Sequence, residues 1–187
     1  FVQNNIRDRI FFMKNQNIDS TNPSSQKLND LLKYYQNKRY LDAEKLALSI
    51  TKDFPKHIVA WRVLGIVLKK TGRIDEALLV NQKSLKLEPT NIEANFNLGN
   101  TLQQLERFEE AESCYRKAIS IKSDYTEAHN NLGATLQKIG RFDEAEACYR
   151  KAISIKSDYT DAYNNLGVTL GAIGRFDEAM NTFIKII

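Results

Sequence analysis

The sequence predicts an all-α solenoid of antiparallel helix pairs, and three observations carry that reading. The block Glu112 to Ala145 recurs almost verbatim as Glu146 to Ala179, a 34-residue period in which only Ser113/Ala147, Glu127/Asp161, His129/Tyr163, Ala134/Val168, Gln137/Gly171 and Lys138/Ala172 differ. A period in the twenties to forties marks one supersecondary unit stacked on copies of itself. Within the period, His129, Leu132, Gly133 and Leu136 fall at three- and four-residue steps, the spacing of one helical face. Gly140 then breaks the pattern, and Arg141, Phe142, Asp143 and Glu144 open a second helix with acids in its first turn, where the macrodipole favours them.

Residues 1–26 are not repeat-like. Val2, Ile6, Ile10 and Met13 recur at helical steps with Arg7, Asp8 and Lys14 on other faces, which predicts a short amphipathic helix. Asn15 to Ser25 is polar, contains Pro23 and reads as a linker. Such a helix would cover the first unit of the array or dock on another chain, and its small positive charge argues against a membrane surface. A degenerate unit follows over 24–57, readable through Tyr34, Ala43, Ala47 and Pro55. It carries Leu31 where later units have glycine and Asp30 where they have leucine. Three regular units occupy 58–91, 92–125 and 126–159, and a shortened fifth occupies 160–187.

Within a unit the small residues have assigned tasks. Gly65, Gly99, Gly133 and Gly167 sit mid-helix at one phase, where glycine costs roughly 1 kcal/mol against alanine. That cost predicts close approach of the second helix, with Ala77, Ala111, Ala145 and Ala179 answering from the other side. Leu64, Leu98, Leu132 and Leu166, with Tyr115, Tyr149 and Phe183, are expected to fill the volume between layers. Ala145, Tyr149 and Ala152 form the expected buried stripe. Gly72, Gly140 and Gly174 stand where a turn needs a positive φ, and Glu106 replaces glycine there once.

Taken together, Trp61, Leu64, Gly65, Leu68, Ala77, Ser84 and Pro89 resemble the tetratricopeptide repeat, over four units from Ile58 onward. Ser123 and Ser157 replace the closing proline. The resemblance implies a right-handed superhelix whose first helices line a concave, ligand-binding groove. On those helices Asn97, Asn131 and Asn165 share one phase, with Asn130 and Asn164 beside them and Asn100, Gln104 and Lys138 further along. A primary amide both donates and accepts, so a row of amides can hold the backbone of an extended peptide or can bond a neighbouring helix. Both uses are open. The paired Lys and Asn clamp of chaperone-binding members is missing; Glu93, Phe96, Glu127 and Asp161 occupy the corresponding region and disfavour a carboxylate there. Arg62, Lys69 and Lys70 make one end basic, so the best-fitting ligand is acidic at that end and neutral or basic beyond it.

Composition narrows the function classes. The chain has 187 residues, 42% hydrophobic and 27% charged, with a net charge of +4. Residues 1–91 hold 16 Lys and Arg against 9 acids, and residues 92–187 hold 11 against 14, so the halves are +7 and −3. Basic residues are scattered among acids, which argues against a nucleic-acid face. No apolar run is long enough for a membrane span and no secretory leader is readable, so a cytoplasmic setting is expected. Cys114 and Cys148 are equivalent positions, about 10 Å apart in stacked helices, too far for a disulfide, and are expected as free thiols. His57 and His129 stand without a phosphate loop, nucleophile or metal-ligand cluster, so neither enzyme activity nor a cofactor is expected. Phe1 in place of Met, and an end at Ile184, Ile186 and Ile187 partway through a unit, predict a piece of a longer chain that self-associates through its array ends or its N-terminal helix. Two functions follow: a scaffold binding a peptide or protein in its groove, or the substrate-recruiting arm of a larger glycosyl- or sulfotransferase.

Overall fold

The computed structural model describes residues 22–186, so the amphipathic helix expected within 1–26 lies outside the described residues. Ten α-helices follow one another: α1 (Ser25–Gln36), α2 (Tyr40–Asp53), α3 (Ile58–Lys70), α4 (Ile74–Leu87), α5 (Ile92–Gln104), α6 (Phe108–Ile121), α7 (Thr126–Lys138), α8 (Phe142–Ile155), α9 (Thr160–Ala172) and α10 (Phe176–Ile184). There is no strand among the described residues. From α3 onward, odd-numbered helices begin 34 residues apart, as do even-numbered helices.

The turn inside each pair is closed by the backbone. Arg141 N–H donates to Leu136 C=O at 2.9 Å and Gly140 N–H to Gln137 C=O at 3.1 Å, the paired bonds of a Schellman turn. That geometry needs a left-handed residue, which is Gly140 at φ 80°. Lys38 and Glu106 adopt φ 57° at the same station, so two pairs accept a side chain in a conformation glycine takes without strain.

Odd-numbered helices touch the odd-numbered helices before and after them, whereas the even-numbered ones meet no other even-numbered helix among the described residues. The even helices α2 to α8 instead pack between their own partner and the next odd helix, and α10 packs on α9. A layer whose members touch is the inner wall of a curved array, so the odd helices line the concave side.

Close approach within a pair depends on the mid-helix glycines. A Cβ on Gly99 would stand 2.7 Å from the Tyr115 ring, one on Gly133 2.7 Å from Tyr149, and one on Gly167 2.5 Å from Phe183. Tyr115 and Tyr149 are thereby fully buried. The same notch at Gly65 receives Asn81 instead of a ring. In the first pair the sizes are exchanged: Leu31 holds the glycine station and Ala47 the aromatic one, and both are fully buried. Asp30, at the leucine station, is half-buried.

The outer layer is laced by arginines. Arg141 bridges Glu144 on its own helix and Glu112 of the preceding pair at 2.7 Å; Arg175 does the same with Glu178 and Glu146. Arg116 answers toward Glu144 at 3.0 Å and Arg150 toward Glu178 at 3.5 Å. Glu112 and Glu146 are largely shielded from solvent, and their bonds are charge-assisted.

Candidate peptide groove on the inner helical layer

Inward-facing positions of α3, α5 and α7 follow one another across the concave wall because the three helices lie side by side in the inner layer. Between them opens a cavity of about 700 Å³, lined by Lys69 of α3, by Asn100, Gln103 and Gln104 of α5, by Asn131 and Lys138 of α7, and by Glu106 and Phe108 at the turn into α6. Four of the nine residues singled out by sequence, Asn100, Gln104, Asn131 and Lys138, meet there. Arg62, Asn97, Asn130, Asn164 and Asn165 lie on the same inner helices but do not line this cavity.

The amides form a chain that crosses pair boundaries. Asn165 Nδ2 donates to Asn130 Oδ1 at 3.0 Å, Asn130 Nδ2 to Asn131 Oδ1 at 3.3 Å, and Asn131 Nδ2 to Asn100 Oδ1 at 2.8 Å. The Tyr115 hydroxyl donates to the same Asn100 oxygen at 2.8 Å, so the chain is rooted in the core. Every inter-helix step donates toward the N-terminal side. Asn97 stands outside that chain: its backbone carbonyl accepts from Thr101 Oγ1 at 3.0 Å and from Asn81 Nδ2 at 3.4 Å. Asn164 is exposed, Asn165 half-buried and Asn130 buried.

Charge divides the wall. Arg62 stands 3.8 Å from Glu93, and Glu127 and Asp161 repeat the acid along α7 and α9, all three carboxylates exposed. Tyr125 packs on Phe96 with ring centroids 4.9 Å apart; burial, then Glu127 and Glu93, push its hydroxyl up to about 12, against the pull of Arg62. Lys69 is pushed below the ordinary lysine range, first by burial and then by the charge of Lys70. A half-buried ammonium facing a cavity is placed to gain from an anionic group.

Sequence reading missed Gln103, Glu106 and Phe108 as lining residues. One signal was available. Glu106 is the single side chain among the glycine stations from residue 72 onward, and it projects where Gly72, Gly140 and Gly174 leave open space. No group of three or more His, Cys, Asp and Glu placed to hold a metal occurs among the described residues. No helix among them is long and apolar enough to cross a membrane.

The profile of the tetratricopeptide repeat matches residues 90–158 and again 124–187, together more than half of the 187 residues. The chain belongs to the tetratricopeptide repeat family. No curated protein matches it in sequence. Among solved structures, the tetratricopeptide array is similar to a crystal structure of MamA at 26% identity and TM-score 0.76, covering 82% of this chain and 90% of that one. MamA from Desulfovibrio magneticus RS-1, at 17% identity and TM-score 0.79, covers 86% and 91%. YrrB, described as having an unusual peptide-binding site, matches at 21% identity and TM-score 0.72, covering 88% and 85%. These last two show the shared fold. Membership places the chain among helical scaffolds for protein interaction.

Proposed function

We propose that this tetratricopeptide array binds an extended peptide segment of a partner protein along its inner wall, as a cytoplasmic scaffold without catalysis of its own. In this reading the repeating units are 24–57, 58–91, 92–125, 126–159 and 160–187. The observation that carries it is the cavity between α3, α5 and α7, where the amides of Asn100, Gln104 and Asn131 and the ammonium groups of Lys69 and Lys138 converge. Asn131 and Asn100 are each held by two hydrogen bonds, Asn131 accepting from Asn130 and donating to Asn100, and Asn100 accepting from Asn131 and Tyr115. The single donation from Asn131 leaves its second N–H to meet a peptide carbonyl. Arg62, Lys69 and Lys70 favour an acidic stretch over α3; Glu93, Glu127 and Asp161 favour a neutral or basic one over α5 to α9. The unpaired thiols of Cys114 and Cys148 suit a reducing compartment. The peptide site of YrrB, on the same fold, gives the reading a precedent.

Peptides selected from a random display library on the wild-type chain provide the test. Gln104→Ala with Lys138→Glu, both exposed positions, is expected to weaken selected peptides at least about tenfold, roughly 1.4 kcal/mol, with helicity unchanged. Asn131→Ala with Asn165→Ala is expected to weaken them as well. Undiminished binding by both variants, or cross-links that map to the even-numbered helices, would remove the proposal.

A further inference from the structure

Between α4 and α5 two devices that tie the later pairs, the ring-filled core and the outer arginine ladder, are altered. The inner-layer contact of α3 with α5 is kept, and Arg62 stands 3.8 Å from Glu93. The buried apolar side chains divide here into two clusters, one from Leu31 to Ala77 and the other from Leu98 to Ala179. From α4 only the partly buried Leu78 and Leu85 pack against the second cluster. Where α6 and α8 present Tyr115 and Tyr149, α4 presents Asn81; where they present Ala118 and Ala152, it presents Ser84. Asn81 and Ser84 are buried, and neither Asn81 Oδ1 nor Ser84 Oγ has a hydrogen-bond partner among the described residues. Beyond those two leucines, the buried link across is polar: Asn81 Nδ2 donates to Thr101 Oγ1 at 2.9 Å.

The outer ladder stops at the same place. Arg73, Arg141 and Arg175 reach back to Glu44, Glu112 and Glu146 of the preceding pair. For Arg107 the corresponding residue is Leu78, and it pairs with Glu110 on its own helix.

We infer that the array is two stiff blocks, residues 24–87 and 92–186, joined at a soft interface between α4 and α5 on which they bend and melt apart. Interdigitated apolar side chains resist displacement, because any shift opens unfilled space. A polar contact between small side chains has less to lose, since water can replace its hydrogen bond. In a linear array the coupling between neighbours decides whether units unfold together, so cooperativity breaks at the weakest interface. The groove cavity takes its lining from both blocks: Lys69 stands on the first, and Asn100, Asn131 and Lys138 stand on the second. Bending changes the gap between Lys69 and Lys138, so a ligand spanning it, on the binding reading above, holds the blocks together.

Trp61, the only tryptophan, reports on the first block alone; it packs against the first cluster and its Nε1–H donates to the Pro55 carbonyl at 2.9 Å. Urea unfolding of the unliganded chain, followed by Trp61 fluorescence and by far-ultraviolet circular dichroism, separates the blocks. Fluorescence is expected to change about 1 M urea before the later part of the dichroism signal. Leu78→Glu, Asn81→Tyr and Ser84→Ala together place at this interface the residues found at Glu112, Tyr115 and Ala118, and are expected to bring the two curves into coincidence. Coincident curves in the wild type would overturn the inference. Separate curves that the triple variant leaves separate would overturn the assignment to these residues. No ligand enters the experiment, so its failure leaves the binding proposal standing, and loss of the binding proposal leaves the two blocks standing.

Discussion

Gly133 sits in the middle of α7 with the Tyr149 ring against it, and alanine at that position sets two effects in opposition. Removing glycine from a helix interior gains about 1 kcal/mol. The new Cβ, however, would lie 2.7, 2.9 and 2.9 Å from three atoms of the ring. Tyr149 is fully buried, and its hydroxyl contacts Gln137 Oε1 at 3.1 Å, so it cannot swing aside. Overpacking of this kind costs about 1–3 kcal/mol, and three contacts on an immobile ring put it in the upper part of that range. Gly133→Ala is therefore expected to destabilise the chain by about 1–2 kcal/mol, read from the later urea transition by circular dichroism. In a Tyr149→Leu background the ring is gone, and the same substitution is expected to become stabilising, by up to about 1 kcal/mol. The first pair already carries the exchanged arrangement, with Leu31 opposite the station of Ala47. If Gly133→Ala stabilises the wild type, or its sign does not reverse once Tyr149 is replaced by leucine, the ring is not what requires glycine at the notch.

Two further outcomes follow from the surface and the half-buried thiols. Burial pushes Cys114 and Cys148 up to about 11 from 9.0, so near pH 8 about a hundredfold less thiolate is present and native alkylation should be slow until urea is added. The unfolded thiols ionise first, so their contribution to stability is complete below pH 9 and is lost as pH rises toward 11; equal alkylation rates in native and unfolded protein would refute the burial. On α10, Phe176, Met180 and Ile184 are 71%, 59% and 59% exposed, and Met180 and Ile184 replace the Glu146 and Arg150 of the preceding copy. Sedimentation is expected to show concentration-dependent association, relieved by Met180→Glu with Ile184→Arg; a wild type that stays monomeric at high concentration would refute it.

The helices were legible because each position in the period has one dominant task. Gly133 and Tyr149 recur 34 residues from their counterparts, so a single packing solution explains several units, and the left-handed turn at Gly140 announces itself by composition. The groove was legible only in outline. Phase along a helix puts Asn97, Asn131 and Asn165 on one wall but leaves their rotamers open, and those depend on neighbours brought in by stacking. Asn131 turns back to Asn100 because the Tyr115 hydroxyl already holds that amide, a relation between three helices that no single period contains. The joint at Asn81 and Leu78 was readable as two departures from the repeat, yet their coincidence on one interface emerged only when α4 and α5 were seen side by side.

The two copies of the near-verbatim block meet their neighbours through the same contacts: Arg141 with Glu112 becomes Arg175 with Glu146, and Arg116 with Glu144 becomes Arg150 with Glu178. Deleting or inserting one whole copy would therefore create seams already present in the native molecule. Array length can drift by complete multiples of the period at little thermodynamic cost, whereas a gain or loss of any other size would misalign every seam after it. Such drift would alter the reach of the wall without rewriting the surface that any one segment of a ligand touches.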